Sequence, residues 1–92
     1  MKCQLKLYVA NNHLASIKVQ RQFQKILKEL DARNYQLEII DIKENPYIAE
    51  RDRISAIPTM VKVAPLPIKR AIGDITELEL FLEWLGNSYE LD

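Results

Sequence analysis

The spacing of apolar side chains changes twice in the first 42 residues, and this limits the folds open to the chain. Residues 4–10 alternate between apolar and polar side chains, which indicates a strand. From Leu14 the apolar positions follow one helical face, made of Val19, Phe23, Ile26, Leu27 and Leu30. Residues 35–42 are apolar on nearly both faces, which predicts a strand covered on both sides. Together they predict a βαβ unit with parallel strands and a right-handed crossover.

The second half predicts shorter elements. Asn45-Pro46 is typical of a helix start, with Asn as the cap and Pro at the first helical position, and the helix is expected to end near Arg53. Its inward anchors are predicted to be Ile48 and Ile54. Residues 58–63 indicate a third strand, and residues 68–72 an edge strand protected by Pro67 and two cations. A capping box at residues 76–79 then opens a helical stripe that reaches residue 85.

A proline stands at the start of the third strand. Pro58 follows Ile57 and precedes Thr59, a position where the missing N–H does not harm strand pairing. The sequence leaves open whether the Ile57–Pro58 bond is cis or trans. We interpret Pro58 as a structural turn residue.

The predicted order of elements is β-α-β-α-β-β-α. It defines an α/β protein with a mixed sheet, and the 92 residues suffice for one domain, residues 1–92. This order, with an X-Pro-Thr segment before the third strand, is that of a thioredoxin-like fold.

Composition excludes several kinds of partner. The 13 basic and 13 acidic side chains cancel, so no global field favours nucleic acid or an anionic membrane. No apolar run is long enough to span a bilayer, and the start lacks a signal-peptide pattern. A single cysteine and a single histidine argue against a disulfide framework and a metal site. A cytoplasmic location is the simplest expectation.

The sequence lacks the pair of cysteines that thiol–disulfide chemistry requires in this fold. Redox proteins of this fold carry Cys-X-X-Cys between the first strand and the first helix, where residues 11–16 here contain no thiol. Cys3 lies at the other end of the first strand and is interpreted as a small apolar residue. His13 is interpreted as a solvated turn residue with no partner near it in sequence, and Ser16 as a helix residue. With only two glycines no phosphate-binding loop exists, and no cofactor is expected.

Several segments together resemble the KaiB family. The resemblance is carried by residues 5–10 (LKLYVA), by residues 40–42 with Asn45-Pro46, by Ile57-Pro58-Thr59, and above all by residues 65–70 (PLPIKR) with Ile72-Gly73-Asp74. Membership would imply a non-catalytic bacterial protein that docks on a ring-shaped KaiC-type ATPase in a circadian clock or related stress-response signalling. It would also imply homo-oligomers, a dimer or tetramer, and for some members a second, metamorphic state ordered β-α-β-β-α-α-β.

The resemblance also suggests which residues bind the partner. The family's positions correspond to Glu50, Asp52 and Arg53 on the second helix. They correspond as well to Lys62, Lys69 and Arg70 on the last two strands. A mixed-charge helix beside a cationic strand edge could orient an acidic partner surface. Reversing the charge of Arg53 together with Lys62 is therefore expected to abolish binding while the fold survives.

Other functions remain open at this point. The chain could be the N-terminal KaiB-like sensor domain of a SasA-type histidine kinase, cut from a longer protein. A thioredoxin-like redox protein is disfavoured by the missing Cys-X-X-Cys. Because residues 76–85 form a clear helical stripe, we expect the thioredoxin-like state rather than the metamorphic alternative.

Overall fold

The computed structural model describes residues 3–29, 33–73 and 83–84. Within them lie the strands β1 (Cys3–Val9), β2 (Tyr35–Asp41), β3 (Thr59–Ala64) and β4 (Lys69–Ile72), and the helices α1 (Leu14–Glu29) and α2 (Pro46–Arg51). The strands form one sheet in the order β2-β1-β3-β4. β1 pairs in parallel with β2, and the other two pairings are antiparallel. The predicted βαβ unit and the mixed sheet are confirmed.

The two faces of the sheet carry separate apolar clusters because side chains alternate along each strand. Leu5, Leu7 and Val9 point to one face, where they pack with Val19, Phe23 and Ile26 of α1 and with Met60 of β3. Tyr8, Ile40 and Val61 point to the other face, where Ile48 and Ile54 pack against them. Three members of the predicted helical stripe, Val19, Phe23 and Ile26, are therefore in place, as are both predicted anchors of α2, while Leu30 lies outside the described residues.

The expectation that β2 is covered on both sides is wrong. β2 is an edge strand, and of its residues only Ile40 is buried, while Glu38 is exposed and Ile39 keeps 36% of its surface. Ile42 lies just beyond the strand. The apolar residues of β2 lie beside one neighbouring strand, β1, and each face of β2 is only partly covered.

The C-terminal end of α2 closes in a Schellman motif without a glycine. The Ile54 N–H donates to the Ala49 carbonyl at 2.8 Å, and the Arg53 N–H donates to the Glu50 carbonyl at 3.2 Å. Arg53 takes the left-handed conformation that this motif requires, with φ 56°. Ile54 and Ile48 then pack in the same cluster, the apolar contact that usually accompanies the motif. At the other end, Asn45 holds the cap position but its side chain makes no capping hydrogen bond.

Pro46 opens α2 as predicted, and the other three prolines lie just outside the strands. Pro58 is buried and precedes β3, and the Ile57–Pro58 bond, which the sequence left open, is cis. The predicted helix over residues 76–85 falls mostly outside the described part of the chain. Of this segment the structure describes Glu83 and Trp84, which are helical. Trp84 packs against the cluster that β1 and Met60 form with α1, which we call the α1-side cluster.

Candidate docking surface

The start of α1 occupies the place where redox members of this fold carry their thiols. Ser16 is fully buried, and its hydroxyl oxygen accepts a hydrogen bond from the Ala10 N–H at 3.3 Å. The Nδ1 atom of His13 lies 2.9 Å from that oxygen and accepts the Ser16 N–H at 3.2 Å. His13 is thus the N-cap of α1 rather than a solvated turn residue without a partner, and the earlier interpretation is wrong. The three-residue spacing of a cap and its N3 residue is the signal that could have shown it.

The free cysteine lies away from that position. Cys3 retains 2% of its surface within the α1-side cluster, which confirms its apolar role. Burial, partly offset by the charge of Lys62, raises the pKa of the Cys3 thiol above its usual range. A thiol held protonated and inaccessible is a poor nucleophile.

On the opposite side of the sheet, the end of α2 faces β4 across a shallow cavity of about 300 Å³. We call this cavity the basic pocket. It is lined by Lys6, Tyr8, Arg51, Asp52, Arg53, Val61, Val63, Ile68 and Arg70. Its lining combines four cationic side chains, one carboxylate, one phenol and three aliphatic side chains.

Asp52 is the acidic member of the basic pocket, and two neighbours donate to it. The Tyr8 hydroxyl donates to Oδ2 at 2.7 Å, and the Arg51 Nε donates to Oδ1 at 2.9 Å. The bonds from Arg51 and then from Tyr8 hold the pKa of Asp52 below its usual range. Burial, followed by the hydrogen bond to Asp52, raises the pKa of Tyr8. The carboxylate therefore stays ionised and fixed in position.

Arg70 joins β4 to the end of α2. Its Nη1 donates to the Arg53 carbonyl at 2.9 Å, and its Nη2 donates to the Asp52 carbonyl. These carbonyls belong to the end of a helix, where backbone acceptors lack helical partners and cations are favoured. The guanidinium of Arg53, by contrast, is exposed, and no other described residue pairs with it.

The structure brings together only some of the six residues predicted to bind a partner. Asp52, Arg53 and Arg70 line the basic pocket, and Glu50 is exposed on α2 nearby. Lys62 and Lys69 face the other side of the sheet, because Lys62 pairs directly with Leu5 of that face and Lys69 pairs directly with Lys62. Lys69 donates to the Trp84 carbonyl at 2.9 Å.

Lys62 does not belong to an exposed surface. It retains 0% of its surface, and burial together with the charge of Lys69 lowers its pKa. This burial argues against charge reversal at this position as a test of binding, since a carboxylate placed there would be buried and would be expected to destabilise the fold. The alternation of side chains in β3 could have predicted this burial, because Lys62 lies two residues from Met60 and therefore on the same, core-facing side of the strand.

Other kinds of site find no support in the part of the chain that the structure covers. No group of three or more His, Cys, Asp or Glu side chains among the described residues could hold a metal ion. Among the same residues, no helix is long and apolar enough to cross a membrane.

The scaffold and the site define a class: a thioredoxin-like protein whose dithiol position is filled by a His-Ser helix cap. Solved structures agree on the fold. Chloroplastic thioredoxin z superposes with a TM-score of 0.78 at 24% identity, over 92% of this chain and 76% of that one. The N-terminal domain of Synechococcus elongatus SasA superposes with a TM-score of 0.74 at 22% identity, over 100% of this chain and 90% of that one.

The chain belongs to the KaiB family. The family model described as "KaiB domain" matches residues 6–87. The circadian clock oscillator protein KaiB of Synechococcus elongatus is 44% identical over 85 residues, which cover 92% of this chain and 83% of that protein. Its counterpart in Microcystis aeruginosa is 42% identical over 86 residues, covering 94% and 83%. The chain is thus a relative of clock proteins with the fold of thioredoxins.

Proposed function

We propose that this chain is a non-catalytic regulatory protein that docks on a KaiC-type ATPase. One observation carries the proposal: Asp52, Arg53 and Arg70 meet at one exposed, mixed-charge surface at the end of α2. The KaiB family supplies the kind of partner, because its named relatives are clock oscillator proteins.

Electrostatics suggests how such a surface would work. Opposite charges held in fixed positions orient an approaching partner and suppress wrong registers. In the basic pocket, the positions of Asp52 and Arg70 are fixed by hydrogen bonds, whereas Arg53 has a free guanidinium on the rim. We therefore assign Arg53 the main contact, with Glu50 and Arg70 beside it, and remove Lys62 from the proposed surface.

Co-purification with the host's KaiC-type ATPase, with and without ATP, tests this function. Arg53→Glu should lose most of the binding, because it reverses an exposed charge without breaking a hydrogen bond of its side chain. Lys25→Glu is the matched control, since Lys25 is an exposed cation on α1, across the sheet. Equal recovery of the ATPase by both variants would contradict the proposed surface, and no recovery by the unaltered chain would contradict the function.

The second candidate is the sensor domain of a SasA-type histidine kinase. The SasA domain favours it only at the level of fold, because its 22% identity is half of the 44% shared with clock KaiB. Kinase sequence after Asp92 in the full-length gene would decide for this candidate. Its absence, together with recovery of the ATPase, would decide for the KaiB-like regulator.

A further inference from the structure

We propose that the basic pocket accepts one glutamate side chain from an acidic segment of the partner protein. This inference rests on the proposed function and names the chemistry by which the same surface recognises its partner. Three features of the pocket support it: its uncompensated charge, its aliphatic wall and the backbone conformation of Arg53.

The charge of the pocket is not balanced by its own residues. Four cations, Lys6, Arg51, Arg53 and Arg70, surround the single carboxylate of Asp52, so the lining carries a formal charge of four minus one, or +3. Asp52 already accepts hydrogen bonds from Arg51 and Tyr8, and Arg70 is held by two carbonyls. Neither Lys6 nor Arg53 has an ion-pair partner among the described residues, so these two cations are available to an incoming anion.

The aliphatic side of the pocket indicates which anion fits. Val61, Val63 and Ile68 line it beside the cations, and Ile68 keeps 60% of its surface exposed. A glutamate has a two-methylene stem and a planar carboxylate. The stem can cover the aliphatic wall while the carboxylate meets the guanidinium of Arg53, whose fork geometry matches it. An aspartate has one methylene fewer to place against this wall, and a phosphate has none.

The backbone of Arg53 holds its side chain at the rim. A non-glycine residue with φ 56° is disfavoured relative to the right-handed region, because its Cβ crowds the following carbonyl oxygen. Glycine usually fills this position of a Schellman motif, but a glycine would leave the pocket without its free guanidinium. An arginine here strains the backbone but places a cation at the end of α2. Strain of this kind is expected at a binding residue.

An NMR titration of the isolated chain tests the inference without the ATPase. The probe is the blocked pentapeptide Ala-Ala-Glu-Ala-Ala, and its neutral control has Gln in place of Glu. We expect the Glu peptide to cause saturable amide shifts at Lys6, Tyr8, Arg53 and Arg70, and the Gln peptide to cause none. Raising the salt concentration should weaken the binding, because the contact is electrostatic.

Matched variants make the assignment specific. Arg53→Gln should weaken binding of the Glu peptide about tenfold, since it removes the free cation and leaves the backbone hydrogen bonds. Lys25→Gln, on the opposite side of the sheet, should leave it unchanged. The spectrum of each variant reports whether it is folded.

The outcomes separate this inference from the proposed function. Shifts that do not saturate, that are equal for the Gln peptide, or that appear only with a phosphoserine peptide overturn the glutamate pocket. If the chain still co-purifies with the ATPase, the proposed function stands and only the pocket fails. If it does not co-purify, both fail.

Discussion

Asp52 shows, at the scale of single residues, how one carboxylate can fix a surface. It accepts hydrogen bonds from a buried phenol and from an exposed guanidinium, and these neighbours come from β1 and α2. The bond from Tyr8 joins residues 44 positions apart. Asp52 thereby ties the end of α2 to the centre of the sheet.

Tyr8→Phe should lower the free energy of unfolding by about 1–3 kcal/mol at neutral pH, the usual worth of a hydrogen bond to a charged group. The folded-state pKa of Asp52 lies below its unfolded value, so its contribution is complete above about pH 4 and is lost as the pH falls through the folded pKa. The difference between the unaltered chain and the variant should therefore shrink in acid.

Urea denaturation at several pH values measures this difference. Tyr47→Phe is the control, because Tyr47 keeps 63% of its surface exposed. A difference that stays constant into acid would show that the Tyr8 hydroxyl does not act through the ionised form of Asp52.

Arg53 supports a second prediction at this scale. Arg53→Gly should be more stable than Arg53→Ala by about 1 kcal/mol, because both remove the guanidinium but only glycine relieves the left-handed backbone. Chemical denaturation of the two variants gives the difference directly. Equal stability would mean that the positive φ is not a source of strain.

Sequence patterns could predict the environment of some of these residues and not of others. The alternation of β3 places Lys62 on the same face as Met60, so its burial could have been predicted. The Schellman motif at Arg53 could not be predicted, because the usual marker of that motif is glycine. The pairing of Tyr8 with Asp52 needs the position of α2 on the sheet, which no local pattern contains.

The elements themselves were easier to predict. Helix α1 follows from the helical period of its buried residues, and β1 from strict alternation. The exposure of β2 could not be predicted in this way, because it depends on strand order, and an edge strand can be as apolar as a central one. The C-terminal helix stays a prediction beyond Glu83 and Trp84.

Removing the cap of α1 should be measurable at the scale of the element. His13→Ala should cost about 1 kcal/mol of unfolding free energy, because the Ser16 N–H and hydroxyl lose their acceptor at the helix start. His13→Asp should restore it, since a carboxylate also caps and interacts favourably with the helix dipole. Thermal unfolding followed by circular dichroism compares them, with the exposed Asn12→Ala as control. Loss in the Asp variant equal to that in the Ala variant would argue against a capping role.

At the scale of the whole molecule, a scaffold shared with thioredoxins is combined with a surface of fixed charges. The thioredoxin-like order of elements is observed through β4, as predicted. The metamorphic alternative, and the dimer or tetramer, stay predictions. The first would need a second packing of the segment from α2 onward, at a cost of only a few kcal/mol.

The missing dithiol leads to a prediction for the molecule as a whole. The chain should show no disulfide-reducing activity toward insulin, and Cys3→Ser should behave identically, because Cys3 is buried and its pKa is raised. A thiol reagent should modify Cys3 quickly only after denaturation. Turnover that depends on Cys3 would place the chain among redox proteins instead.

The cap at the head of α1 has a consequence for how such proteins diverge. His13 and Ser16 have the same three-residue separation as the two cysteines of a Cys-X-X-Cys motif, and their side-chain atoms already lie 2.9 Å apart. Two substitutions, His13→Cys and Ser16→Cys, would place a vicinal thiol pair at a helix N-terminus, where thiolates are favoured. The Cys-X-X-Cys pattern of redox proteins on this scaffold thus differs from the cap of this chain at only two positions.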